Sequence, residues 1–225
     1  MRTVEAVIFD LDDLLIDSEQ AWDDARREFV AEQGGHWQDR AQRDMMGMSS
    51  PEWSLYVRDE LGVDMPPERI SAEVVARLTA LYEQRLPLLP GAREAVERLA
   101  RHLPLGLASS SNRELIDLVL DIGGLAACFA ATVSSEEVAR GKPAPDVYLE
   151  AARRLSVSAA RSVAIEDSRN GILSAAAAGM RVIAIPNRAF PPGPEALAAA
   201  SLVLRSLDDL TAASVERLDS PDRDA

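Results

Sequence analysis

Cysteine is nearly missing from this sequence: Cys128 stands alone among 225 residues, so no internal disulfide can form. That usage suits a reducing compartment, and the cytoplasm is the expected location. Cys128 itself lies in an apolar segment and reads as a core residue. Lysine is as scarce, for 23 of the 24 basic residues are arginine and only Lys142 is lysine. Only two histidines occur, His36 and His102; neither has a motif around it, and both read as surface residues or as packing among helices. Positive charge is in deficit, with 24 basic against 37 acidic residues and a net charge of −13. Such a surface repels phosphate backbones, which excludes nucleic acid as the expected partner. No apolar run approaches the roughly 18 residues that span a bilayer, and the N-terminus has no signal-peptide layout, so no membrane is expected either. Internal repeats and low-complexity segments are absent.

What is present is a chain with 47% hydrophobic residues, long enough to bury a full core and to make one domain or one and a half. Near its start an apolar run (Val4, then Ala6 to Phe9) breaks into Asp10, Leu11, Asp12 and Asp13. A continuous apolar run bounded in this way predicts a strand buried on both faces, as inside a parallel sheet. Side chains alternate along a strand, so Asp10 and Asp12 point to one side. Two carboxylates projecting together repel each other and lose solvation, so another group must offset them. The plain alternative is a pair of solvated turn acids.

Three later stretches carry the groups that such a site needs: LGLASSSN at 105–112, ARGKPAPD at 139–146 and SVAIEDSRNG at 162–171. Glu166 and Asp167 close a strand-like run and, with Asp10, form an oxygen-only set of hard ligands that suits Mg²⁺. The plain alternative for that acidic pair is a helix N-terminus, where acids are favoured. Ser110, through its backbone amide, and Ser111 with Asn112 can cradle substrate at a helix N-terminus, although serines there are often only caps. Lys142 is a compact ammonium in a chain that otherwise uses arginine, placed where Pro143 and Pro145 stiffen the loop.

Between the first strand and the rest, residues 20–86 show helical periodicity, with Trp22, Ala25, Phe29 and Val30 and then Leu55, Leu61, Val74, Val75, Leu78, Leu81 and Tyr82 at apolar positions. Breakers at Gly34-Gly35, Gly47, Ser49-Ser50-Pro51, Gly62 and Pro66-Pro67 divide this into about four helices. After Pro90-Gly91, strands and helices alternate. Helices are predicted at 92–101, 113–120, 145–155 and 170–178, and strands at 104–108, 130–133, 162–165 and 181–185. Weaker strand and helix signals follow at 201–204 and 207–213, and 220–225 is a polar tail expected to fray. Such alternation implies right-handed crossovers and a parallel sheet, whose ligands bind beyond the carboxyl ends of the strands.

The four stretches, in this order, resemble the motifs of the haloacid dehalogenase-like hydrolases, and the chain looks most like their beta-phosphoglucomutase and sugar-phosphate phosphatase branch. The resemblance implies an α/β fold. A Rossmann-like parallel core, residues 1–16 and 89–219, would be flanked by helices, with a four-helix cap inserted at 17–88 and hinged near Asp17 and Leu88. It further implies Asp10 as nucleophile and Asp12 as general acid and base, whose backbone carbonyl also ligates the metal. Ser109 would hold a transferring phosphoryl oxygen, Lys142 would stabilise the equatorial oxygens, and Asp10, Asp12, Glu166 and Asp167 would form the Mg²⁺ site. The expected activity is hydrolysis of a small phosphorylated metabolite, a sugar phosphate, by a monomer or weak homodimer.

Two departures stand out. Asp13 replaces a glycine common in such proteins, so the backbone there differs or the acid faces solvent. Ser50 occupies the place of a cap arginine that holds a second phosphate in the mutases, which weakens the alternative of a hexose-phosphate mutase. Glu166-Asp167 opposes a metal-free dehalogenase, and the completeness of the motifs opposes a catalytically silent binding protein. Trp22, Trp37 and Trp53, all in the helical insertion, are expected in its core rather than against substrate.

Overall fold

A computed structural model describes residues 4–46 and 48–219; Gly47 and the tail at 220–225 lie outside the described residues. Six strands form one parallel sheet in the order β3-β2-β1-β4-β5-β6. They are β1 (Ala6–Phe9), β2 (Leu105–Ser109), β3 (Phe129–Ser134), β4 (Ser162–Glu166), β5 (Arg181–Ala184) and β6 (Leu202–Val203). All four residues of β1 are buried, because it pairs with β2 on one side and β4 on the other. Alternation sends Val7 and Phe9 to one face of the sheet and Ile8 to the other, where Ala164, Val182 and Tyr148 join it.

Four helices intervene between β1 and β2 before the first helix of the alternating region: α1 (Glu19–Glu32), α2 (Ala41–Met45), α3 (Ser50–Asp59) and α4 (Pro67–Gln84). Helix α4 packs on α1 and α3 and also meets the core helix that spans Arg113–Ile122. The two chains that link this insertion to the sheet run side by side. Ile16 bridges Leu88, and Asp17 N–H donates to Pro87 O at 2.8 Å. The remaining helices are α5 (Ala92–Ala100), α6 (Arg113–Ile122), α7 (Asp146–Arg154), α8 (Arg169–Ala177), α9 (Gly193–Ala199) and α10 (Ala212–Glu216). None of the described helices is long and apolar enough to cross a membrane.

Several expectations need correction. Helix α9 escaped the sequence pattern because prolines at 191, 192 and 194 crowd its start and mask a short helix. The helix expected at 207–213 is two elements, a 3₁₀ turn at Leu207–Asp209 and α10. Thr211 divides them by accepting from Ser214 N–H at 3.1 Å, which starts a new helix. Leu55 and Leu81 are exposed; they lie off the stripes set by Trp53 and Val57 and by Ile70, Val74, Leu78 and Tyr82. Cys128 is only half-buried, since it leads into β3, the strand at the sheet's edge. His36 and His102 are exposed.

Candidate active site

The carboxyl ends of the two central neighbours, β1 and β4, lie side by side. Asp10, the first residue after β1, donates its N–H to Ile165 O of β4 at 3.0 Å, and Glu166 and Asp167 follow directly. Among the described residues, one carboxylate oxygen each from Asp10, Glu166 and Asp167 fall within 4.8 Å of one another, and all three residues are buried. The loop before α7 delivers Lys142, whose Nζ lies 2.8 Å from Asp10 Oδ1 and 2.6 Å from Glu166 Oε1.

This crowding sets the electrostatics. Burial first, and then the Glu166 charge, push the Asp10 carboxyl up to about 8, against the pull of Lys142. Burial, Glu166 and Asp10 together raise Asp167 well above the usual carboxylate range. Lys142 is held above its ordinary value. Burial is the largest single effect on it and pulls it down, but the charges of Asp10 and Glu166 and the hydrogen bond to Glu166 outweigh it.

The three acids are not equivalent. Glu166 is saturated: Oε1 accepts from Lys142 Nζ and from Tyr148 Oη, both at 2.6 Å. Its Oε2 accepts from Asp167 N–H at 3.2 Å and from Ser168 Oγ at 3.2 Å. Asp167 Oδ1 is buried without a hydrogen-bond partner, and Asp10 Oδ1 meets Lys142 as an ion pair outside hydrogen-bonding angles. Buried, mutually repelling oxygens with valence left over fit a hard divalent cation. Asp10 and Asp167 are the side chains with oxygens to offer it, while Glu166 anchors Lys142.

Asp12 stands apart from this cluster and faces the insertion. Its Oδ1 accepts from Ser18 Oγ at 2.8 Å and Trp22 Nε1 at 3.3 Å. Its Oδ2 accepts from Ser111 Oγ at 2.7 Å and Ser109 Oγ at 3.2 Å. Ser109 and Ser111 therefore orient Asp12, and Ser110 lines the cavity. Asn112 does not line it. The Asn112 side chain ties the sheet to the insertion, accepting from Ser50 Oγ at 2.8 Å and donating to Glu136 at 2.7 Å. Ser50 is accordingly buried against Asn112 and away from the cavity.

Asp13 adopts the left-handed φ of 56° that explains a glycine at this place, and asparagine and aspartate tolerate that region best among other residues. Its carboxylate turns inward rather than to solvent and caps α1, accepting from Ser18 N–H at 3.1 Å and Glu19 N–H at 3.0 Å. Burial pushes it up to about 6 against those two hydrogen bonds.

A cavity of about 730 Å³ opens over Asp10, Asp12, Lys142 and Asp167, walled on the far side by Arg43, Asp44 and Phe190. Three contributors escaped the sequence reading. Tyr148 sits on α7 with nothing local to mark its bond to a residue 18 positions away. Gly171 admits Glu166, for a Cβ there would fall 1.8 Å from Glu166 Oε1. Arg26 left one signal: it lies four residues after Trp22, inside the apolar stripe of α1, where a charge is out of place. Trp22 and Trp53 are buried in the insertion and meet edge to face at 5.9 Å, whereas Trp37 is half-buried.

Comparison with known proteins agrees with this fold. The model of the haloacid dehalogenase-like hydrolase family matches residues 4–179. Hexitol phosphatase B of Escherichia coli (strain K12) is 37% identical over 222 residues, covering 94% of this chain and 96% of that one. The phosphorylated carbohydrates phosphatase of Thermotoga maritima is 30% identical over 182 residues, covering 80% and 84%. The solved structure of CbbY from Rhodobacter sphaeroides in complex with phosphate has a TM-score of 0.82 at 28% identity, covering 92% of this chain and 96% of that one. A mutant form of the same protein, in complex with xylulose 1,5-bisphosphate, also gives 0.82 at 27% identity. The chain belongs to the haloacid dehalogenase-like hydrolase family, in the branch of that family that carries phosphoric monoester hydrolases.

Proposed function

We propose that the protein is a Mg²⁺-dependent phosphatase that hydrolyses a small phosphomonoester, a sugar phosphate, through an aspartyl phosphate on Asp10. The observation that carries this is the meeting of Asp10 and Asp167, at adjoining strand ends, with Lys142 from the loop before α7. Asp10 attacks phosphorus; the Lys142 ammonium, 2.8 Å away, favours its anionic form and neutralises phosphoryl oxygens in transfer. Asp12 protonates the departing oxygen and then takes a proton from the water that cleaves the aspartyl phosphate, held for both steps by Ser109, Ser111, Ser18 and Trp22. Asp10, Asp167 and the Asp12 carbonyl would hold Mg²⁺, which would neutralise charge between the anionic nucleophile and the anionic substrate. Helices α1–α4 act as a cap, with the paired chains at Ile16 and Leu88 as its hinge, and close water out during attack. The mutase alternative gains no support at Ser50, which is committed to Asn112.

Asp10→Asn tests this reading. An amide is a poor nucleophile, so turnover of p-nitrophenyl phosphate falls at least roughly 10³-fold. The variant melts at or above the wild-type temperature in metal-free buffer, because one of three crowded carboxylates is gone. Undiminished hydrolysis would refute the assignment.

A further inference from the structure

Beside Asp12 the cap encloses a second, smaller recess of about 60 Å³, with Glu19, Trp22, Arg26, Trp53 and Ser110 in its walls. That is room for a few water-sized groups rather than for a second sugar ring. Arg26 is buried, and its guanidinium lies against both indoles, 4.5 Å from the Trp22 ring centroid and 4.9 Å from that of Trp53. Arg26 Nε is buried without a partner, and so is Glu19 Oε1. An unpaired donor and an unpaired acceptor in one recess are costly unless a ligand completes them.

The charges decide which ligand. Glu19 contributes the largest of the charges that stabilise the Arg26 guanidinium, which burial alone would depress further than about 10. Beyond the phosphoryl-handling residues, the main cavity offers Asp13, Glu19, Asp39 and Asp44 against only Arg43 and Arg169, and Arg169 is paired with Glu195 at 3.1 Å. A second phosphate or a carboxylate on the substrate would meet mostly acids. A hydroxyl, which both donates and accepts, matches a recess lined by an unpaired guanidinium N–H and an unpaired carboxylate oxygen.

Resting on the phosphatase reading above, we propose that Glu19 and Arg26 are specificity-determining residues that bind hydroxyls of a neutral polyol leaving group. The substrate is then a polyol or sugar carrying a single phosphate, and bisphosphates and phosphorylated acids are disfavoured.

The test is the ratio of kcat/KM for sorbitol 6-phosphate to that for p-nitrophenyl phosphate, whose leaving group has no hydroxyl chain, in wild type, Glu19→Gln and Arg26→Met. Each substitution removes a charged hydrogen-bonding partner, so the ratio falls about 10- to 100-fold. Fructose 1,6-bisphosphate and 3-phosphoglycerate are expected to be turned over at least tenfold less efficiently than sorbitol 6-phosphate by the wild type. If Arg26→Met fails to fold, the near-isosteric Glu19→Gln decides. An unchanged ratio in the folded variants overturns the proposal. So does a wild-type preference for the bisphosphate that Arg26→Met abolishes, which would make Arg26 a distal-phosphate site. Absence of any phosphomonoesterase activity in the wild type would instead bring down the phosphatase reading itself.

Discussion

Replacing Gly171 by alanine should, on helix propensity alone, stabilise α8 by about 1 kcal/mol. Tertiary structure reverses the sign. An added Cβ would lie 1.8 Å from Glu166 Oε1, 1.9 Å from Cδ and 2.0 Å from Oε2, where real Cβ contacts stay beyond 3.0 Å. The carboxylate must retreat by roughly 1.2 Å, the difference between 3.0 and 1.8 Å, yet Glu166 is 0% exposed and the surrounding interior is close-packed. A shift of that size takes the two 2.6 Å bonds from Lys142 and Tyr148 out of hydrogen-bonding range. Two hydrogen bonds to a charged group amount to about 3–6 kcal/mol. At about 2–4 °C per kcal/mol for a chain of this size, melting falls by roughly 6–24 °C. Lys142 loses its anchor as well, and a misplacement near 1 Å lowers kcat/KM by about 10²-fold. Thermal melts and p-nitrophenyl phosphate hydrolysis read both effects. A Gly171→Ala protein that melts no lower than wild type with unchanged kcat/KM would refute the packing argument.

Tyr148→Phe keeps the shape but deletes the phenolic donor to Glu166, so urea denaturation should show a loss of about 1–3 kcal/mol; a change below about 0.3 kcal/mol would mean that the bond is dispensable. Magnesium should raise the melting temperature by roughly 5–11 °C at about 100 times its Kd, and Asp167→Ala should abolish the rise; equal shifts in both proteins would remove Asp167 from the metal site. Burial is the main cause that lifts Glu19 to about 7, opposed by Arg26 and reinforced by Asp13 and Asp12. The unfolded chain releases that proton near 4.5 and the folded chain keeps it to about 7, so the fold binds more protons between these values and stability declines as pH rises through them. Glu19→Gln removes this slope, at most about 3 kcal/mol in total and less after allowance for its partial exposure. Parallel stability curves for the two proteins would contradict it.

Local pattern was enough for the frame. A run such as Ala6–Phe9 has no polar face, so it can only be a strand covered on both sides, and the alternation after Pro90 leaves a parallel sheet as the economical solution. Once that sheet is granted, residues directly after β1 and β4 must share one crevice, and this is why Asp10, Glu166 and Asp167 were legible as a set. Their division of labour was not. Glu166 and Asp167 are neighbours of the same charge type, and only the approach of Tyr148, Lys142 and the bare α-carbon of Gly171 saturates one and leaves the other with an open oxygen.

The sequence by itself determined the sheet, the four-helix insertion and the acids and lysine at the strand ends, because periodicity and composition act over a few residues and are written locally. Tertiary structure alone decided that Asn112 and Ser50 tie the helical insertion to the segment after β2 and that Asp13 caps α1. It alone decided that Arg26 and Glu19 line one recess together with Trp22 and Trp53. Those outcomes depend on distances of a few ångströms between residues far apart in the chain, and hydrogen bonds and burial at that scale leave no trace in local spacing.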